Sequence, residues 1–181
     1  MGNVSLIPIV ALVRISLRSG SMQIIKDKAI VDDNWQYITD EEALPASGDI
    51  IISATRWAAE QENLAAYNGA VGVQLEPGDD AMVLKGTIES LPLIAINFPV
   101  FSDGRGFTQA KILRDRLGYK GELRARGDVA RDQMFYMMRV GFNAYEVKAG
   151  RSLQDALQAF DDFTVKYQVS ADEKQPLYRR R

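Results

Sequence analysis

Apolar residues fall in short runs that recur at a regular interval through most of the chain. The runs are "DIIIS" at 49–53, "AVGVQL" at 70–75, "LPLIAINFPVF" at 91–101 and "AYEV" at 144–147, with the more polar "GELRAR" at 121–126 between the last two. Each reads as a strand. Between them apolar residues return at helical spacing: Ala81, Leu84, Ile88 and Leu91; Phe107, Ala110, Leu113 and Leu117; Ala130, Met134, Met137, Met138 and Gly141. A last helix presents Leu153, Ala156, Leu157 and Phe160 on one face, with Ser152 and Asp155 spaced as a capping pair. Strand starts near 50, 71, 93, 121 and 144 lie 21 to 28 residues apart, the length of a strand, a turn and a helix. The pattern predicts an α/β fold with an open, layered sheet of mostly parallel βα units, a curved partial βα barrel being the alternative. Five or six strands are too few to close a barrel of eight.

Ahead of this series, "MQIIKDKAIVDDNWQYI" at 22–38 alternates like a pair of strands around a turn at "KDK", which predicts an N-terminal β-hairpin at one edge of the sheet. "TDEEALPASGD" at 39–49 reads as a loop. The apolar run "VSLIPIVALV" at 4–13 lacks a preceding basic region, contains Pro8 and is followed by Arg14 and Arg18, the reverse of a signal peptide. It is also too short to span a membrane. Residues 1–21 are expected to be a disordered extension, with an extra packed element as the alternative. Residues 22–168 are expected to form a single domain and 169–181 a polar tail.

Composition narrows the chemistry. With 181 residues, 46% of them hydrophobic, the chain can bury one sizeable core. Its 22 basic against 24 acidic residues leave a net charge of -2 and no broad footprint for nucleic acid. The absence of Cys and His removes thiolate nucleophiles, iron–sulfur ligation by thiolate, His-based metal sites and an imidazole base. No GxGxxG, GxxxxGK[ST] or GxSxG signature is present.

In a parallel α/β sheet, loops at the carboxyl ends of the strands gather at one edge. Here they are "ATRW" at 54–57, "EPGDD" at 76–80, "SDGRG" at 102–106, "GDVARD" at 127–132 and "KAGRS" at 148–152. The candidates for binding an anion or a cofactor phosphate are Asp103, Gly104, Arg105, Gly106, Arg124, Arg126, Asp128 and Arg131. Arg105 offers a fork of donors among glycines that permit close approach. The bland alternative is a turn in which Asp103 serves as a cap. Arg124 and Arg126 are two apart and share a strand face, so they need partners such as Asp103 or Glu122, or a ligand. Asp128 is placed to cap the helix after it, and Arg131 falls in that helix's first turn, either held for contact or paired locally. The Met-rich "QMFYMMRVGF" and the two tryptophans read as packing.

The block "FPVFSDGRGFTQAKILRDRLGYKGELRARGDVARDQMFYMMRVGFNAYEV" at 98–147 closely resembles the bacterial family called domain of unknown function 934, and the resemblance extends more loosely back to Met22. It implies a cytoplasmic protein described as an oxidoreductase of sulfite reduction, an inference drawn from gene neighbourhood beside assimilatory sulfite reductase. No catalytic residue or cofactor comes with it, and no metal is expected. A chain without Cys does not hold the reductase's iron–sulfur centre by thiolates, so the implied role is accessory. Two readings follow. One is an oxidoreductase accessory whose Arg-bearing edge binds a small oxyanion or a cofactor phosphate; the other is a noncatalytic module recognising sulfite reductase or an anion. A homodimer through an exposed sheet edge would be unsurprising.

Overall fold

The structure, a computed structural model, describes residues 22–162, 169–173 and 175–179. The expected N-terminal extension lies outside them. The chain opens with a hairpin, β1 (Met22–Lys26) and β2 (Ala29–Asp33), whose turn residues Asp27 and Lys28 both take positive φ, as a two-residue turn matched to strand twist requires. A short β3 (Gln36–Tyr37) follows. The predicted runs then form β4 (Ile50–Ser53), β5 (Val71–Leu75), β6 (Leu93–Phe98), β7 (Glu122–Gly127) and β8 (Ala144–Tyr145).

All eight strands belong to one sheet in the order β2-β1-β8-β7-β6-β5-β4-β3. From β3 to β8 neighbours are parallel and sequential, while β1 runs antiparallel to both β8 and β2. The two edge strands are therefore consecutive in the chain, separated only by Asn34 and Trp35. In a flat sheet, seven strand intervals would put them about 34 Å apart, yet three residue steps reach only about 11 Å. The sheet must curl. The parallel βα series thus takes the form of the curved partial barrel, the expected hairpin lies at one edge, and β3 is the strand added to those read from the pattern.

Helices α1 (Ala54–Ala59), α2 (Gln61–Ala65), α3 (Arg105–Lys111), α4 (Arg131–Val140) and α5 (Leu153–Gln158) complete the main elements. Alternate residues of the strands, including Ile50, Ile52, Val73, Leu75, Ile94, Ile96, Phe98, Leu123 and Tyr145, pack with Trp57, Leu113, Met134, Met137 and Phe160 in one core. The opposite, concave face carries a smaller cluster of Ile51, Leu93 and Ala95 against Trp35 and Tyr37. Gly106 lets α3 lie directly on β6, because a Cβ there would stand 2.6 Å from the Phe98 ring.

Three expectations are corrected. The helix predicted over 81–91 is two 3-10 turns, Ala81–Leu84 and Ile88–Ser90, interrupted by Gly86 at φ 95°. The "ATRW" stretch is not a loop but the start of α1, where Ser53 caps the Arg56 backbone N–H and the buried Arg56 side chain donates to the carbonyls of Thr39 and Glu42. Asp128 does not cap α4: Ala130 occupies the cap position, and Asp128 accepts from Lys148 at 2.7 Å. The Ser152 cap on Asp155 is present at 3.2 Å. Beyond α5, Ser170 and Ala171 both donate to the Arg139 carbonyl and Asp172 pairs with its guanidinium, so this part of the tail docks on the end of α4.

Candidate functional site

Strand alternation sends every second residue of β4 to β8 onto the concave face. At the carboxyl ends those residues are Ser53, Gln74, Asn97, Arg126 and, one position past β8, Glu146. Five successive strands thus end on a polar inward residue, each partly accessible. Below them the face is lined by Ile51, Gly72, Ala95 and Ala144, together with Arg124.

Arg124 is 1% exposed and meets three carboxylates: Asp33 at 2.8 Å, Glu122 at 2.7 Å and Glu146 at 3.3 Å. Burial alone would favour its neutral form, but the Asp33 hydrogen bonds and the charges of Glu122 and Asp33 outweigh that and raise its pKa, so it stays charged. Lys26 adds a second cation to Glu122 at 2.7 Å. The hydrogen bonds from Arg124 to Asp33 span from β7 to the outer strand of the hairpin.

Two residues further along β7, Arg126 is in a different setting. Its guanidinium lies 3.4 Å from the Tyr37 ring centroid, its Nη1 donates to Gln74 at 2.6 Å, and its Nε stands 3.6 Å from Glu146. Its side chain remains 34% exposed. Tyr37 in turn donates its phenol proton to Glu146. Burial, followed by the Glu146 charge and this hydrogen bond, raises the Tyr37 pKa far above the ordinary phenol value. Gln74 passes the network on: its amide nitrogen donates to Glu76 at 2.5 Å, and Asn97 donates to the other Glu76 oxygen at 2.7 Å. Gly127 closes β7 with φ 96°; a Cβ there would collide with the Phe98 carbonyl at 2.4 Å and crowd the Asn97 side chain.

The remaining sequence candidates are distributed around this layer. Arg105 forms a bidentate pair with Asp103, the shortest contact being 2.6 Å, and Asp103 also accepts from the Arg105 backbone N–H. These bonds hold the Asp103 carboxyl below its usual pKa. Arg105 is 64% exposed. Gly104 has open space around it, whereas Gly106 is packed. Arg131 pairs with Asp155 and Asp162 at 3.4 and 2.9 Å. The Lys148 hydrogen bond keeps the Asp128 carboxyl low. Of the two carboxylates expected to answer the β7 arginines, Glu122 does so and Asp103 does not.

Gln109, one turn on from Arg105, supports the site from behind. Buried on α3, it donates to the carbonyls of Glu76 and Asp79 at 2.7 and 2.8 Å and so fixes the loop that carries Glu76. Tyr37, Gln74, Glu76, Asn97 and Glu146 are absent from the sequence candidates. A usable signal existed: each apolar run ends on a polar residue at its inward position. Among the described residues, no group of three or more His, Cys, Asp or Glu is arranged to hold a metal ion, and no helix is long and apolar enough to cross a membrane.

Fold and site together define an α/β protein with a curled, partial βα barrel and a polar layer at the carboxyl ends of its strands. The chain belongs to the family described as bacterial protein of unknown function (DUF934), whose model matches residues 72–178. That span holds β5 to β8 and most of the polar layer. Neither a curated protein nor a solved structure matches the chain.

Proposed function

We propose that this protein is an accessory of sulfite reduction that binds a small oxyanion or a cofactor phosphate at the carboxyl edge of its sheet, with Arg126 as the principal donor. The observation that carries the reading is the contrast within β7, where Arg124 is enclosed by carboxylates and Arg126 remains a third exposed on an aromatic platform. A guanidinium held over a ring by cation–π contact is oriented in advance and loses little side-chain freedom when its remaining donors meet an oxyanion. The pathway assignment rests on the family resemblance.

A thermal-shift titration with sulfite, sulfate, phosphate, NADPH, FMN and FAD tests it. A ligand at 100 times its dissociation constant adds about 2.7 kcal/mol to the folded state, a shift of several degrees. The expected result is stabilisation by at least one of these that is lost in Arg126→Ala and kept in Arg105→Ala. No stabilisation by any of them would sink the reading. A second reading, docking of sulfite reductase, is favoured by Val100, Phe101 and Tyr136, large apolar side chains each half or more exposed; Gln133 on α4 holds the Phe101 carbonyl at 3.0 Å. Retention of the reductase by the wild-type protein but not by Phe101→Asp would support it.

A further inference from the structure

Resting on that oxyanion reading, we infer that the polar layer selects a zwitterion: a small acid whose anionic head meets Arg126 and whose ammonium group, one or two carbons away, meets Glu76. Charge balance within the network motivates this. Lys26, Arg124 and Arg126 stand against Asp33, Glu122 and Glu146, three cations to three carboxylates, all within ion-pair distance. Glu76 joins the same network as a fourth carboxylate, and among the described residues its two oxygens accept from the neutral amides of Gln74 and Asn97. Among the described residues no Lys or Arg forms an ion pair with it.

A carboxylate with two amide donors is oriented but not neutralised. It retains acceptor capacity for a cation, and its partial burial strengthens that attraction over one in open water. The Gln74 amide separates the two charges, accepting from Arg126 on one side and donating to Glu76 on the other. Opposite charges therefore lie one amide and two hydrogen bonds apart, so a ligand that carries both an anionic head and an ammonium group finds a partner for each, which a simple oxyanion does not. Gln109 and Asn97 fix Glu76 from its backbone and its side chain, so the acidic half is preorganised.

The test compares ligands that differ only in the ammonium group. Taurine is set against ethanesulfonate, and β-alanine against propionate, by isothermal titration with the full chain. The expected result is that taurine or β-alanine binds at least about tenfold more tightly than its ammonium-free partner, a preference of about 1.4 kcal/mol. Glu76→Gln should abolish the preference within each pair, and Arg126→Ala should weaken both members. Equal binding of the two members of each pair to the wild type would overturn the zwitterion inference and leave the oxyanion reading standing. Absence of binding by all four, with sulfite and phosphate also inert, would remove both.

Discussion

Arg124 and Arg126 are the same residue type, on the same face of the same strand, one layer apart. The lower is enclosed by Asp33, Glu122 and Glu146; the upper shares Glu146 loosely, lies on Tyr37 and reaches solvent. A guanidinium sealed among carboxylates is committed to holding the sheet together, because the cost of burying each charge is offset only by the others. One that is oriented but incompletely paired has donors to give to something else. Depth along the strand, and not residue type, separates the scaffold arginine from the candidate binding residue.

Removing each arginine should break the comparison open. Arg124→Ala removes the buried cation shared by Asp33, Glu122 and Glu146 on the concave face and is expected to lower unfolding free energy by about 3–5 kcal/mol, whereas Arg126→Ala should cost about 1 kcal/mol or less. Urea denaturation of both measures the gap, and equal losses would erase the distinction. Next in size, Gly106→Val drives a side chain into Phe98 and Ile96 and should cost roughly 1–3 kcal/mol by the same assay.

A smaller and more specific effect belongs to Tyr37. Its folded pKa is raised by burial first and by Glu146 second, as burial also raises Tyr119 and Tyr145. A group with a raised folded pKa contributes stability that is complete below its unfolded pKa and is lost as pH climbs above it. Stability should therefore hold up to about pH 10 and then fall, by up to about 1.4 kcal/mol per pH unit for each buried phenol. Tyr37→Phe should make that alkaline decline shallower; an unchanged slope would show that Tyr37 titrates as it does in the unfolded chain. Smallest of all, Arg105→Ala should leave the melting temperature unchanged, since its pair with Asp103 is local and solvated.

The βα rhythm was legible in the sequence because parallel strands buried on both faces need unbroken apolar runs, and Ile50–Ile52 and Leu93–Ile96 supply them, one side facing the helices and the other Trp35 and Tyr37. The hairpin was legible too, from alternation on either side of "KDK". Curvature was left open by the pattern, which allows the curved partial barrel beside the open sheet, and the tertiary partners were not readable at all. Nothing local in "QY" at 36–37 says that it forms an edge strand whose tyrosine meets a glutamate 109 positions later. Period-two spacing correctly put Arg124 and Arg126 on one face, but their partners arrive from β2, β3, β5 and the end of β8 only once the sheet bends. The helix expected over 81–91 failed for a local reason, since its apolar spacing is cut by Gly86 in a conformation no helix contains.

The order of the strands also sets a timetable for synthesis. Ile25 pairs with Tyr145, so β1 of the hairpin waits for the last of the eight described strands before it gains its second neighbour. The parallel series can assemble one unit at a time as it emerges, each strand finding its predecessor already in place. Until β8 arrives, β1 has β2 alone, and an isolated two-stranded hairpin is marginal in water. Completion of the domain is therefore a late event that closes a long loop, and a nascent chain stalled between β7 and β8 leaves one open edge on β7 and another on β1.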